Sequence, residues 1–338
     1  MHRTAVVILN WNGTAHLRRF LPSVVRNTPE GVRIVVADNG STDDSVAVLE
    51  QEFPSVEVLK LERNYGFAEG YNRALAQIDA EYCVLLNSDV ETPEGWLEPL
   101  VARLDENERV AAVAPKLLWS EGREQFEYAG AAGGFIDYLG YPFCRGRVLK
   151  SVERDCGQYD DTREVFWASG AAFCCRLEIF KSLGGFAREF FAHMEEIDLC
   201  WRMQLAGYKV EVEPRSKVYH YGGGTLATDS PNKIFLNHRN NLAMLFRCST
   251  SGQRAVVAVV RPLLDAMAAL SYAVKGNFRG AWAVVRAYGD FICWHKRLAA
   301  ERKQIRSMAV RSKLPETIYR GSIVLRYILG KRKFEKLM

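Results

Sequence analysis

The sequence lacks the features that mark secreted, zinc-binding or repeat proteins. Its eight cysteines are scattered and form no Cys-x-x-Cys pair, so a zinc site has no support and reduced thiols are expected. The opening residues, MHRTAVVILNW, do not have the layout of a signal peptide. No internal repeat or low-complexity segment is visible. These absences favour a globular cytoplasmic protein, and 338 residues are enough for one large domain or two.

Two common phosphate-binding motifs are also missing. Residues 64–70, NYGFAEG, resemble a glycine-bearing strand-to-helix turn, but they match neither Gly-x-Gly-x-x-Gly nor the P-loop pattern. Dinucleotide oxidoreductases and P-loop enzymes therefore lose their main support. A nucleotidyltransferase is a weaker alternative, because residues 10–17, NWNGTAHL, contain no Lys or Arg to hold a triphosphate.

Strands and helices alternate through the first 110 residues. Apolar, β-branched runs typical of buried parallel strands occur at residues 4–10, 33–37, 56–61 and 82–86. Each run leads into a segment with helical signals, such as residues 14–27. This pattern predicts an α/β fold with an open, mostly parallel sheet and helices on both faces.

The rest of the chain is less regular and then becomes helical. A strand is expected at residues 164–168, and a helix at 195–206 that ends at a glycine. We expect a catalytic domain over residues 1–250, with a nucleotide-binding half at 1–110 and an acceptor half at 111–250. A basic helical region would follow at 251–338.

Polar residues stand where the predicted strands end, and in such sheets ligands bind beyond the carboxyl ends of the strands. Asp89, in the run LLNSDV, can bind a hard divalent cation that bridges the phosphates of a nucleotide diphosphate. Asp38 can accept hydrogen bonds from a base or a ribose. The alternative for both residues is a structural role: Asp89 would cap the next turn, and Asp38 would form the turn in which it lies.

Two further groups have the chemistry of a transferase site. Glu195, Glu196 and Asp198 follow the run FFAHM; like charges and partial burial should raise their pKa values, which favours a general base. The alternative is that these acids only complement a helix dipole. His220 precedes a glycine run and could bind Mn²⁺, or Mg²⁺ more weakly, although a lone histidine is more often structural.

Six segments, in order over residues 4–225, resemble family 2 glycosyltransferases of the GT-A fold, in the bacterial rhamnosyltransferase-like branch. They are VVILNWNG, VVADNGSTDDS, ERNYGFAEGYN, LLNSDV, FFAHMEEIDLCWRMQLAGY and VYHYGGGT. The resemblance implies a Rossmann-like sheet and inverting transfer of a sugar from a nucleotide-diphosphate sugar to a hydroxyl in cell-envelope polysaccharide synthesis. It also implies a divalent cation, Mn²⁺ or Mg²⁺. A non-catalytic carbohydrate-binding protein is an alternative, because Asn87 replaces the first Asp of the usual Asp-x-Asp motif.

The resemblance also implies roles for individual residues. Asp89 and His220 would bind the metal, and Glu196 would be the base, with Glu195 or Asp198 taking that role if Glu196 does not. The acceptor segment FWASGAAF contains Trp167, Ser169 and Gly170, and core packing is the alternative for Trp167. The donor, dTDP-rhamnose or a UDP-sugar, would lie against Ile8, Asn10, Asn12, Asp38, Asn64, Gly66, Asn87 and Ser88.

The charge is unevenly distributed along the chain. Residues 291–338 contain 13 Lys and Arg against 3 Asp and Glu, a net charge of +10 in a chain of +5, so the first 290 residues carry −5. Aromatic and aliphatic residues are mixed with these charges from residue 261 onward. Helices of this composition can lie in a membrane interface with basic residues on anionic headgroups.

This pattern predicts peripheral attachment to the inner face of the cytoplasmic membrane, a glycan or lipid-linked acceptor, and no nucleic-acid partner. Residues 255–274 are long enough to cross a bilayer, but Arg261 and Asp265 argue against a span. A dimerisation helix, a helix that covers the core, or a solvated helical face remains the alternative. The oligomeric state is not predicted.

Overall fold

The structure is a computed structural model that describes residues 2–222 and 230–337. The first part of the chain alternates strands and helices as predicted, and the expected helix over residues 14–27 is found with the same bounds. These elements are β1 (His2–Asn10), α1 (Thr14–Asn27), β2 (Arg33–Asp38), α2 (Ser45–Glu52), β3 (Glu57–Lys60), α3 (Gly66–Ala76), β4 (Ala80–Asn87), β5 (Val90–Glu91) and α4 (Glu98–Glu106).

The middle part extends this sheet and adds a second one. Its elements are β6 (Val110–Trp119), β7 (Gly122–Phe126), β8 (Gly134–Asp137), β9 (Pro142–Cys144), β10 (Arg147–Val148), β11 (Ser151–Val152), β12 (Arg163–Glu164), β13 (Ala172–Arg176), α5 (Leu177–Ser182), α6 (Glu195–Leu205) and β14 (Lys209–His220). The strand expected at residues 164–168 is found only as β12, which covers residues 163–164 and overlaps the expected range at one residue. Beyond it, Trp167 makes an isolated bridge to Gly134.

The main sheet has the order β12-β14-β6-β13-β4-β1-β2-β3, with β5 attached to β14 and β7 to β6. β1 pairs in parallel with β2 and β4, and β2 pairs in parallel with β3. β13 runs antiparallel to both of its neighbours. The predicted mostly parallel sheet is confirmed, and it places the carboxyl ends of β2, β1 and β4 side by side.

Helices cover both faces of this sheet because its central strands are apolar on both sides. On one face, Val6 and Ile8 of β1 pack in a core with Leu17 and Leu21 of α1. On the other face, the alternate residues of β1 pack in a core with Tyr71 of α3. This alternation makes β1 a central strand and fixes its register, since a slip of one residue would exchange the two faces.

The C-terminal part is mainly helical, with α7 (Pro231–Cys248), α8 (Ser251–Val274), α9 (Phe278–Cys293), α10 (His295–Met308), β15 (Ile318–Tyr319) and α11 (Ile323–Ile328). β15 joins the second sheet, whose order is β11-β10-β9-β8-β15. Phe334 packs against Phe135 and Phe143 of that sheet. Among the described residues, α8 is the one helix long and apolar enough to cross a membrane.

Candidate active site

The ends of β1 and β2 form a polar corner. Asn10 and Asp38 are opposite each other in the parallel register, and the Asn10 amide lies 3.4 Å from the Asp38 carboxylate. The backbone N–H of Ser41 donates to the other Asp38 oxygen at 3.0 Å. Asn12 has a left-handed backbone, and its side-chain oxygen accepts from the N–H of Thr42 at 2.7 Å. These contacts join the loop after β1 to the loop after β2, in the place expected for a nucleoside.

A second turn adjoins this corner through amide hydrogen bonds. The Asn39 side chain donates to Asn64 Oδ1 at 3.2 Å and to the Gly66 carbonyl at 3.0 Å. Asn64 Oδ1 also accepts from the N–H of Gly66 at 2.8 Å. Gly66 has φ +77°, and a Cβ there would lie 2.4 Å from the Phe191 ring. Only glycine fits this turn, which links the donor side of the sheet to the segment before α6.

Asp89 and His220 meet at the end of β4, although they are 131 residues apart. The β14–β5 pairing places His220 opposite Val90, and Nε2 of His220 lies 3.1 Å from the Asp89 carboxylate. The Asn87 amide is 3.4 Å from the same nitrogen. Both side chains of the pair are buried. Burial would raise the pKa of Asp89, but His220, His16 and a backbone hydrogen bond together lower it more, so Asp89 is held ionised.

Glu127, which the sequence analysis did not single out, completes this group. Its Oε1 lies 3.2 Å from Nδ1 of His220, and its Oε2 accepts from the N–H of Ala129. Burial lowers the pKa of His220, but Glu127 and Asp89 raise it more, to about 10. The imidazole is therefore fixed between two carboxylates. Nothing in the local pattern QFEYAG distinguishes this glutamate from a surface residue.

The Asp89 and His220 side chains are suited to bind a divalent cation that also binds a diphosphate. Two ligands at right angles on an ion with bonds of about 2.1 Å lie about 3.0 Å apart, close to the observed separation of Asp89 and His220. Within residues 2–222 and 230–337, no group of three or more His, Cys, Asp or Glu side chains could hold a metal alone. The other ligands would be diphosphate oxygens and water, as is common for Mg²⁺ and similar ions. The motif VYHYGGGT continues into residues 223–225, which lie outside the described part of the chain.

Glu195 and Glu196 begin α6 and have the raised pKa values expected of a general base. Burial raises the pKa of Glu196 to about 7, and burial together with the Glu196 charge raises that of Glu195 further. One carboxylate oxygen of each has no hydrogen-bond partner within the described residues.

Asp198 does not share this environment, and the expectation that all three acids have raised pKa values is wrong. Its fully buried carboxylate makes ion pairs with Arg202, at 2.8 Å, and with Arg247. Burial would raise the pKa of Asp198, but Arg247 and Arg202 lower it. A carboxylate held between two guanidinium groups is a poor proton acceptor, so the structure favours a structural role for Asp198.

The segment before α6 has an unusual backbone that α7 supports. Phe191, His193 and Met194 all have positive φ angles between 64° and 73°. Such conformations cost about 1–3 kcal/mol each for residues with side chains, and they persist where the surroundings hold them. Here the buried Asn240 side chain donates to the carbonyls of Phe190, Ala192 and His193 at 2.8–3.0 Å. Asn240 thereby positions the start of α6, where Glu195 and Glu196 lie.

Several expected site residues point into the core instead. Ile8 is buried among the apolar residues of the main sheet. The Trp167 indole is 3% exposed and donates to the Phe135 carbonyl at 3.0 Å, so core packing describes it better than sugar stacking. Ser169 and Gly170 are buried too, and Ser169 Oγ accepts from the N–H of Ala171. Ser88, by contrast, is partly exposed at the end of β4.

Comparison with known proteins gives a family match over part of the chain and several related sequences and structures. The sequence model of Glycosyl transferase family 2 matches residues 5–157. N-acetylglucosaminyl-diphospho-decaprenol L-rhamnosyltransferase of Mycobacterium tuberculosis is 28% identical over 258 residues, which cover 71% of this chain and 83% of that protein.

Two solved structures share the fold at low identity. Staphylococcus aureus TarS 1–349 in complex with UDP-GlcNAc has a TM-score of 0.58 and 17% identity, over 90% of this chain and 88% of that one. GalNAc-T7 with UDP, GalNAc and Mn²⁺ has a TM-score of 0.62 and 18% identity; the match covers 78% of this chain and about half, 51%, of that one. The sheet order and these matches lead to one conclusion: the chain has the GT-A fold, and its residues 5–157 match glycosyl transferase family 2.

Proposed function

We propose that this chain is an inverting, metal-dependent glycosyltransferase that moves a sugar from a nucleotide-diphosphate donor to an acceptor hydroxyl. The observation that carries the proposal is the buried Asp89–His220 pair, 3.1 Å apart at the end of β4. Mn²⁺ or Mg²⁺ bound there would neutralise the charge that develops on the leaving diphosphate. This chain's own residues supply the remaining steps.

The donor would lie across the carboxyl ends of β2, β1 and β4. Neighbouring strands are about 4.8 Å apart, so the ends of β2 and β4 are separated by about 10 Å. A nucleoside near Asn10, Asn12 and Asp38 would then direct its diphosphate toward Asp89. Asn64 and the Gly66 turn would border the same cleft.

Glu196 would act as the general base. Its carboxylate has an oxygen without a partner within the described residues, and a pKa near 7 suits proton transfer at neutral pH. Glu196 takes the proton of the acceptor hydroxyl while that oxygen attacks the anomeric carbon. The bond from this carbon to the diphosphate breaks on the opposite side, so the configuration inverts and no covalent sugar–enzyme intermediate forms.

The donor and acceptor are proposed by similarity. We take dTDP-rhamnose as the first donor and a UDP-sugar as the alternative, because the mycobacterial relative is named as an L-rhamnosyltransferase. That name also contains a diphospho-decaprenol acceptor, which supports a lipid-linked or glycan acceptor in cell-envelope synthesis. We further propose that the enzyme works at the inner face of the cytoplasmic membrane and contacts it through residues 251–338.

Two measurements test this function. A thermal-shift screen of dTDP, UDP and GDP should show one nucleotide that stabilises the chain only with Mn²⁺ or Mg²⁺ present. A transfer assay with dTDP-rhamnose and UDP-sugars, using a polyprenyl-diphosphate-linked N-acetylglucosamine acceptor, should then yield a product of inverted configuration. Metal-dependent nucleotide binding without transfer to any acceptor would favour the non-catalytic alternative. No nucleotide binding with either metal would contradict both readings.

A further inference from the structure

We infer that α8 and α9 form a hairpin that lies flat on an anionic lipid surface, and that its exposed apolar side chains make the contact. The inference rests on the proposed function at the membrane and gives it a defined surface. It narrows the sequence-based expectation, which placed the contact anywhere in the helical region 251–338.

The outer surface of the hairpin is apolar. Six large side chains on it are between 64% and 72% exposed: Val259, Leu263, Met267, Leu270, Phe278 and Trp282. Those on α8 follow one another at intervals of four, four and three residues, so they share one face of the helix. No charged residue of α8 is on the exposed side, and the whole of this helix is described. A surface helix in water has the opposite arrangement, with its apolar face toward the core.

The side of α8 that faces the rest of the protein is polar, and its side chains make hydrogen bonds to residues outside the helix. Arg261 is buried and donates to the Leu139 carbonyl at 2.8 Å and to Asn241 Oδ1 at 2.6 Å. Asp265 is buried, lies 3.3 Å from Arg261, and accepts from the Tyr288 hydroxyl of α9 at 2.7 Å. These buried polar contacts fix which side of α8 faces outward.

This orientation is incompatible with a helix that crosses the bilayer. α8 has the length and hydropathy of a span. Insertion would, however, pull Arg261 and Asp265 away from their partners in the body and expose both to hydrocarbon. With its polar side held by the protein, the helix presents only its apolar side to a membrane, as interfacial helices do.

The charge around the apolar surface selects anionic lipid over a second copy of the chain. The hairpin, residues 251–293, contains five Lys and Arg and two acids. Arg261 and Asp265 are buried as a pair, which leaves four basic residues and the partly exposed Asp290. Lys275 and Arg279 flank the tip of the hairpin, and Arg286 is exposed on α9. Two such surfaces would repel each other in a dimer, whereas phosphatidylglycerol headgroups would attract them.

The basic tail, residues 291–338, is less suited to contact with the membrane. β15 pairs with β8, so the tail is part of the second sheet. Phe334 is buried against Tyr159 and the phenylalanines of that sheet. Deleting residues 291–338 would therefore damage the fold, and point substitutions are the better test.

The test is flotation of the full chain with vesicles of phosphatidylglycerol and phosphatidylcholine, compared with phosphatidylcholine alone. The variant L263Q/M267Q/W282Q removes three exposed apolar side chains without touching the core. The matched control, L325Q/I328Q/L329Q, makes the same change in the basic tail, where these residues are also exposed. Circular dichroism and urea unfolding check that both variants fold like the wild type.

The expected result is that wild type and control float with the anionic vesicles, are released by carbonate, and bind phosphatidylcholine weakly. The hairpin variant should lose at least about tenfold in vesicle affinity. Equal flotation of wild type and hairpin variant would overturn the inference. So would a wild type that ignores vesicles and sediments as a dimer that the hairpin variant dissociates. Vesicle binding needs neither donor nor acceptor, so the outcome is independent of whether sugar transfer is detected.

Discussion

Glu127 contacts Nδ1 of His220 at 3.2 Å, on the edge of the imidazole ring opposite Asp89. A carboxylate at Nδ1 holds the proton on that nitrogen, so a cation beside Asp89 would displace the other ring proton, on Nε2. Glu127 would thus act through His220 as a positioning residue.

The variant E127Q should weaken Mn²⁺ binding about tenfold, because the amide orients His220 less firmly and makes it less basic. Electron paramagnetic resonance titration of free Mn²⁺, without donor or acceptor, measures this directly. E124Q is the matched control, since Glu124 is exposed and its ion pair among the described residues is with the exposed Arg154. Equal Mn²⁺ affinity in E127Q and wild type would remove Glu127 from the metal site.

The variant E196Q should bind nucleotide diphosphate with unchanged affinity and transfer sugar about 10²–10⁴-fold more slowly. The amide keeps the shape of the side chain but cannot take the acceptor proton. Single-turnover kinetics together with calorimetric nucleotide binding separate the two effects. E195Q serves as the comparison and should lose less. If E195Q is the slower variant, Glu195 is the base.

The pH dependence of the wild-type rate should show one ascending limb with a midpoint near 7. Burial raises the pKa of Glu196 to about 7, and only the ionised carboxylate accepts a proton. The rate should therefore fall about tenfold per pH unit below that value and level off above it. Measuring kcat at saturating donor checks the limb. E196Q should lack it, and a limb that persists in E196Q would assign it to another group.

The variant N240A should slow transfer through its effect on the segment before α6. Losing the Asn240 amide leaves the Ala192 and His193 carbonyls without this donor, which we expect to cost about 1–3 kcal/mol of unfolding free energy. The Phe190 carbonyl keeps its hydrogen bonds from Arg239 and from the N–H of Ala192. A shift of Glu196 by even 1 Å can cost about 10²-fold in rate. Urea unfolding and kcat measure the two effects.

N237A is the control for this prediction, because in the described part of the chain the Asn237 amide donates to the Lys233 carbonyl of the same helix. That variant should keep both stability and rate. A stable N240A variant with wild-type kcat would show that the left-handed segment is held by other contacts.

The parallel half of the sheet could be predicted because its signals are local. Continuous apolar runs form the central strands, and polar residues such as Asp38 and Asp89 follow where the strands end. The helix over residues 14–27 was predicted with its bounds for the same reason, since its apolar residues repeat at helical spacing. Because the carboxyl ends of parallel strands lie at the same edge of a sheet, these polar residues are expected to lie close together.

The rest of the site depends on contacts distant in sequence. His220 reaches Asp89 only through the pairing of β14 with β5, and no spacing between residues 89 and 220 reveals that. The strands of the second sheet are two to four residues long, too short for an alternating pattern to identify them. Glu127 and Asn240 have no local signal at all, because their roles come from the partners they meet.

Asn240 and Asn241 are neighbours on α7 with separate partners. Asn240 binds the carbonyls before α6, and Asn241 binds Arg261 of α8 and the Gly140 carbonyl. One turn of α7 is therefore shared by the base-bearing segment and the outer hairpin. A chimaera that borrows its C-terminal helices from a related chain would therefore disturb one of these contacts at either junction. Joining at residue 250 gives α8 a foreign partner, and joining ahead of Pro231 places a foreign α7 against the segment before α6.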